Sequence, residues 1–153
     1  MTMVYILDSN ILVHAVRESN LFLALDERLR LTSSLSQNII SSVTIGELYS
    51  LAVRNRWGLR KKDRLEMLLN EFNVFPISDH RSLHERYADI DAFSQSSHPT
   101  LRLRGSARKM SKNDLWIAST SAIFRGTLLT TDGDFNHLHN VFLKVEYIDP
   151  QLY

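Results

Sequence analysis

Two aspartates close apolar runs in this chain: Asp8 follows Met3-Val4-Tyr5-Ile6-Leu7, and Asp132 follows Leu128-Leu129-Thr130-Thr131. Two further acids stand three residues after a hydroxyl side chain, Glu47 after Thr44 and Asp114 after Ser111. Gathered in one small pocket, such carboxylates repel one another, so their pKa values rise or they move apart unless a cation enters. Oxygen-only donors select a hard ion. The expected cofactor is therefore Mg²⁺, or Mn²⁺, in an octahedral shell completed by water and held by Asp8, Glu47, Asp114 and Asp132, with Asp134 competing with Asp132 for the last place. An ion of this kind activates water and neutralises charge developing on a phosphodiester. Ser9, Asn10, Thr130 and Thr131 are placed to hydrogen-bond the carboxylates or the ion's waters.

The elements around these acids give them a common location. Met3–Leu7 is short, apolar and β-branched, as suits a strand buried on both faces of a parallel sheet. Ser9 or Asn10 caps a short helix to Val16, and Leu21 to Leu31 has helical spacing. Asn38 to Val43 reads as a second strand, and Thr44-Ile45-Gly46-Glu47 as a capping box for a helix that runs to Trp57 and stops at Gly58. Lys61 to Phe72 reads as an amphipathic helix, Asn73 to Ile77 as an edge strand tolerating Pro76, and Ser78 to about Ser94 as another helix. The segment Gln95 to Met110 shows no period. Ser111 opens a helix that Gly126 stops, and Leu128–Thr131 and Val145–Ile148 complete the strands. Strands alternating with helices require right-handed crossovers, so the expected fold is a three-layer α/β/α sandwich with a mainly parallel central sheet. In that arrangement strand carboxyl ends and the following helix amino ends share one edge, which brings the four acids to one crevice.

Composition narrows the classes. The 153 residues make one domain, long enough to bury about 70% of the unfolded surface. With 18 Lys and Arg against 17 Asp and Glu, the net charge of +1 excludes a general polyanion sponge, so nucleic-acid contact must rest on local placement. The absence of cysteine excludes disulfides and thiolate metal sites. No basic region precedes the first apolar run, and no run approaches the roughly 18 residues of a membrane span. The expectation is a soluble cytoplasmic protein.

At this point the motifs resemble a known family. Leu7-Asp8-Ser9-Asn10-Ile11-Leu12, the acid of Thr44-Ile45-Gly46-Glu47-Leu48, Ser111-Lys112-Asn113-Asp114-Leu115-Trp116-Ile117-Ala118 and Leu129-Thr130-Thr131-Asp132-Gly133-Asp134-Phe135 together resemble the PIN-domain signature, in particular that of the small VapC-type toxins. By position Asp8, Glu47 and Asp114 match the three core acids and Asp132 the fourth. The resemblance implies a Mg²⁺- or Mn²⁺-dependent endoribonuclease, held inactive by a cognate antitoxin and often a homodimer. Ser106-Ala107-Arg108-Lys109-Met110 departs from the Gly-x-Pro-Ile-like turn of many relatives, which bears on the choice of RNA and leaves the acids intact.

Ala92 to Asn113 carries Arg102, Arg104, Arg108, Lys109 and Lys112 with no acid, and runs directly into Asp114. Placed at the mouth of the site as a mobile loop, it would grip the phosphates of single-stranded RNA. A second cluster, Arg54, Arg56, Arg60, Lys61, Lys62 and Arg64, is partly offset by Asp63 and Glu66 and reads as a solvated surface. The competing explanation is structural. Each acid alone is accounted for as a helix cap worth about 1 kcal/mol, and a protein whose acids only cap would be a non-catalytic binding module using the sheet edge or a helix face. Capping gives no reason for four acids to share one pocket.

Overall fold

The computed structural model describes residues 1–153. Five strands form one sheet in the order β3-β2-β1-β4-β5, and every neighbouring pair is parallel. In chain order the elements are β1 (Met3–Leu7), α1 (Ser9–Val16), α2 (Asn20–Leu29), β2 (Ser36–Ser41), α3 (Ser42–Arg54) and α4 (Leu59–Glu71). They continue as β3 (Asn73–Phe75), α5 (Arg81–Ser94), α6 (Lys112–Phe124), β4 (Thr127–Thr130) and β5 (Lys144–Tyr147), with short 3₁₀ helices at Gly133–Leu138 and Pro150–Leu152. The sheet is thus wholly parallel, and the α/β/α layering expected from the sequence is present. No helix is long and apolar enough to cross a membrane.

Strand alternation builds two cores, because successive side chains leave opposite faces of the sheet. Tyr5, Leu7, Ile40 and Leu129 pack beneath α1, α2, α3 and α4 with Leu12, Leu25, Leu48 and Leu65. Ile6, Ile39 and Leu128 pack on the other face against α5, α6 and the first 3₁₀ helix, with Ile90, Ile117, Phe135 and Leu138. β1 lies at the centre, paired with β2 from Met3↔Ser36 to Ile6↔Ile39 and with β4 from Tyr5↔Thr127 to Leu7↔Leu129. The ends of β1 and β4 are therefore level, and Asp8 and Thr130 emerge side by side.

Several local expectations are corrected; the first is that Asp8, not Ser9 or Asn10, is the N-cap of α1. The Thr44–Glu47 capping box does not form: β2 ends at Ser41, whose hydroxyl accepts from the Val43 N–H at 3.4 Å as the N-cap of α3. Thr44 then falls inside the first turn and Glu47 in the second. Ser41 and Thr44 are both cap-competent, and the end of the pairing with β1 and β3 decides between them. The same helix stops at Arg54 rather than Trp57, through a left-handed Arg56 (φ 49°), and Gly58 instead precedes α4 as its N-cap. At the end of α6 the left-handed residue is Arg125 (φ 52°), not Gly126. Gly126 is required for space: a Cβ there would lie 2.4 Å from Ile6 Cδ1 and 3.0 Å from the Val4 carbonyl oxygen.

Ile6 Cδ1 can swing aside, but the Val4 carbonyl belongs to the central strand and cannot. Gly126→Ala is accordingly expected to cost about 1–3 kcal/mol through overpacking, read as a lower urea midpoint at unchanged slope. A midpoint equal to wild type would show that β4 shifts freely past β1.

Candidate active site

Asp8 is only 5% exposed, at the point where β1 passes into α1. Its Oδ1 accepts from the Ser9 N–H at 2.8 Å, and its Oδ2 accepts from the Thr130 hydroxyl at 2.7 Å and the Asn10 amide at 3.1 Å. The same groups reach the neighbouring strand end. Asn10 Oδ1 accepts from the Thr131 N–H at 3.1 Å, and Thr130 Oγ accepts from the Asp132 N–H at 3.0 Å. Of the four polar residues expected to support the carboxylates, Asn10 and Thr130 bond Asp8 by side chain and Ser9 by its backbone N–H, whereas the Thr131 N–H reaches Asn10 and no carboxylate.

A crevice of about 400 Å³ is lined by Asp8, Glu47, Asp114 and Asp132 together with Ser9, Asn10, His14 and Arg17. All four of these acids line the one crevice. Asp114 occupies the first turn of α6, where the Ser111 hydroxyl accepts from its N–H at 3.1 Å. Asp132 caps the following 3₁₀ helix by accepting from the Asp134 N–H at 2.9 Å. Asp134 itself is exposed and stands outside, in a neighbouring depression of about 430 Å³ shared with Asp114, Arg108 and Lys109. Glu47 has no capping role, and its Oε1 is buried without a hydrogen-bond partner, as is Ser9 Oγ.

Burial and mutual charge strain the set. Burial pushes the Asp8 carboxyl above its usual range, opposed by its hydrogen bonds and reinforced by the Asp132 charge. Burial also raises Glu47, and the charge of Asp8 adds to it; the Ser9 hydroxyl tempers the shift from nearby without the geometry of a hydrogen bond. Asp114 is pushed up to about 6, first by burial and then by the charges of Asp8, Asp132 and Glu47 against the lowering effect of Ser111. No three acidic or imidazole side chains are drawn together at chelating distance. The donor set is all oxygen, one member has an unsatisfied buried atom, and three are held short of easy ionisation. These residues fit a hard divalent ion.

The basic residues separate into groups. Arg108 and Lys109 flank Asp114, whereas Arg102, Arg104 and Lys112 are exposed and line neither hollow. The loop bearing them, expected to be a mobile arm, is tied down at several points. Leu103 and Met110 are buried, the Arg108 N–H donates to the Ser94 carbonyl at 2.8 Å, and the His98 ring accepts from the Leu101 N–H at 3.0 Å. In the second cluster Arg60 and Arg64 pair with Glu18, and Lys61 lies 6.0 Å over the Trp57 ring. Trp116 packs on Tyr87 with ring centroids 4.4 Å apart. Sequence reading missed His14, Arg17 and Leu51. The signal was available, since Asn10, Val13, His14 and Arg17 follow helical spacing from a recognised site residue.

A model of the PIN domain matches residues 5–140. The chain belongs to the PIN domain family. No curated protein matches it in sequence. Among solved structures, its PIN fold is similar to a chain of VapBC2 from Rickettsia felis, solved bound to a DNA fragment from their promoter, with 21% identity, TM-score 0.73, and coverage of 96% of this chain and 100% of that one. It is also similar to a chain of VapBC-1 from nontypeable Haemophilus influenzae, with 20% identity, TM-score 0.69, and coverage of 95% and 98%. FitAcB from Neisseria gonorrhoeae gives 22% identity, TM-score 0.69, and coverage of 92% and 95%.

The raised carboxyls fix a direction for pH dependence. Between 3.8 and about 6 the Asp114 carboxyl binds more protons in the folded chain than in the unfolded one. Stability must fall as pH rises through that window, and the cost persists above it. Asp114→Asn removes the cost: without divalent ions at pH 7 it is expected to raise Tm by about 2–4 °C, equivalent to about 1 kcal/mol. The gain should shrink towards pH 4, and a lower Tm at pH 7 would contradict the charge strain described for this crevice.

Proposed function

We propose that the protein is a divalent-metal-dependent endoribonuclease that acts in the cytoplasm as the toxin of a toxin–antitoxin pair. The single observation carrying this reading is Glu47. It is displaced from any capping role, has a buried Oε1 without a partner, and lines one crevice with Asp8, Asp114 and Asp132. A cap explains Asp114 in part, and no structural need explains Glu47. The similarity to chains of VapBC2, VapBC-1 and FitAcB supports a cognate antitoxin as partner, and the family resemblance supports a homodimer.

In this reading Asp8, Asp114, Asp132 and Glu47 hold Mg²⁺ or Mn²⁺, and Asp132 rather than Asp134 is the fourth acid because it lines the crevice. The bound ion supplies a Lewis acid that lowers the pKa of water and neutralises charge on the phosphate. Thr130 and Asn10 keep the Asp8 carboxylate in one orientation, and Arg108 and Lys109 bind phosphate beside the acids. The carboxylates orient water for in-line attack on phosphorus, leaving a 5′-phosphate and a 3′-hydroxyl. A non-catalytic binding module draws its support from the wide spacing of the acids, but leaves the strained Glu47 without a purpose.

Protein freed of any partner should cleave RNA with Mn²⁺ or Mg²⁺ and fail with EDTA. Asp8→Asn and Asp114→Asn should reduce the rate to below about one hundredth while keeping the fold by circular dichroism. Thr130→Val, which removes a donor to Asp8 and touches no substrate, should cost about 10–100-fold. Failure of wild type to cleave any RNA with either ion would favour the binding module, and a 2′,3′-cyclic phosphate at the new ends would overturn the hydrolytic route. Mn²⁺ should also raise Tm more at pH 7.5 than at pH 5, because protons compete for the raised carboxyls.

A further inference from the structure

Beside the acid crevice, one face of α3 forms a second hollow with the start of α6. Val43, Gly46, Glu47, Ser50, Leu51 and Arg54 line it at helical spacing and Asn113 borders it, an open depression of about 500 Å³. Glu47 and Leu51 belong to both hollows, so the two are continuous. Arg54 takes part in none of the protein's ion pairs, unlike Arg28, Arg60, Arg64, Arg81 and Arg86, each of which meets a carboxylate. Gly46 is the least expected member. It sits inside a helix, where glycine is unfavourable, yet a Cβ at this position would meet nothing within 4 Å. Neither packing nor backbone conformation calls for glycine here. What its missing side chain preserves is open space in the hollow.

Resting on the nuclease reading above, we propose that this hollow is a nucleotide subsite that holds the residue of a single-stranded RNA next to the scissile phosphate. Arg54 binds that nucleotide's phosphate, the Asn113 amide offers a donor and an acceptor to the base edge, and Val43 and Leu51 take the base face across the floor left clear by Gly46. The volume is that of a small-ligand site. A stacked duplex presents no base to such a hollow, so the subsite selects unpaired RNA. The comparable hollow at Glu18, Arg60, Asp63 and Arg64 offers no such site, because its arginines are already neutralised by Glu18.

The test uses the full chain and a fluorescently labelled single-stranded RNA, with binding read by anisotropy in EDTA so that nothing is cut. Gly46→Leu should weaken binding at least tenfold with Tm unchanged or higher. Arg54→Gln should weaken it and lower the slope of log K against log salt by about 0.7, whereas Arg86→Gln, an equal loss of charge on α5, should bind as wild type does. Cleavage is then followed with Mn²⁺ on RNAs carrying one abasic nucleotide walked along the chain. One position flanking the cut should slow wild type and have no further effect on Gly46→Leu. Wild type that cleaves RNA while Gly46→Leu binds and cleaves equally well overturns the subsite and leaves the nuclease. Wild type that cleaves no RNA overturns the nuclease reading, and the anisotropy still reports on the hollow. A change of mass by light scattering in Gly46→Leu, with RNA binding intact, would assign the hollow to a protein contact and overturn the proposal.

Discussion

The parallel pairing of β1 with β4 is the contact on which the rest of the site depends. Because Leu7 is level with Leu129, Asp8 leaves the sheet beside Thr130 and receives its hydroxyl at 2.7 Å. Asn10 spans the same seam, bonded to Asp8 by its amide and to the Thr131 N–H by its carbonyl oxygen. Two strand ends 122 residues apart in sequence are thereby locked in register, and a nearly buried carboxylate is held in one orientation. Gly126 serves the same seam from below, since only its missing Cβ lets β4 come this close to Val4 and Ile6.

Around that fixed carboxylate the protein accepts electrostatic strain. Asp8, Glu47 and Asp114 are each raised first by burial; the charge of Asp132 adds to Asp8, that of Asp8 to Glu47, and those of Asp8, Asp132 and Glu47 to Asp114. A core chosen for stability alone would neutralise or pair such groups. Here one Glu47 oxygen stays unsatisfied. Unrelieved strain of this kind is characteristic of sites prepared for a ligand that brings the missing charge. The proposed ion and the proposed phosphate are two parts of one compensation: the cation relieves the acids, and Arg108, Lys109 and Arg54 receive the anion that follows it.

Placement, more than number, distinguishes the basic residues. The chain is almost neutral overall, and several of its arginines are bound to glutamates at the surface. Arg17, Arg54, Arg108 and Lys109, which line the acid crevice or the hollows beside it, belong to none of these pairs. The loop carrying Arg108 and Lys109 is anchored through Leu103, Met110 and the Ser94 carbonyl, which holds its backbone beside Asp114.

By itself, the sequence determined the strand–helix alternation, the parallel three-layer architecture and the four acids at one sheet edge. These follow from local patterns: apolar runs ending on Asp8 and Asp132, Ser111 capping the Asp114 helix, and the rule that strand ends and helix starts share an edge. Tertiary structure decided what local pattern leaves degenerate. Ser41 and Thr44 are both fit to cap α3, and only strand pairing chose Ser41, which turned Glu47 from a capping acid into an unsatisfied one. Asp132 and Asp134 are two residues apart, and the turn after β4 put one in the crevice and the other outside it. Gly126 and Gly46 look alike as residue types, yet one admits a neighbouring strand and the other keeps a hollow open. Capping, charge and glycine are local signals, but their meaning depends on what the fold brings up against them from a distance in sequence.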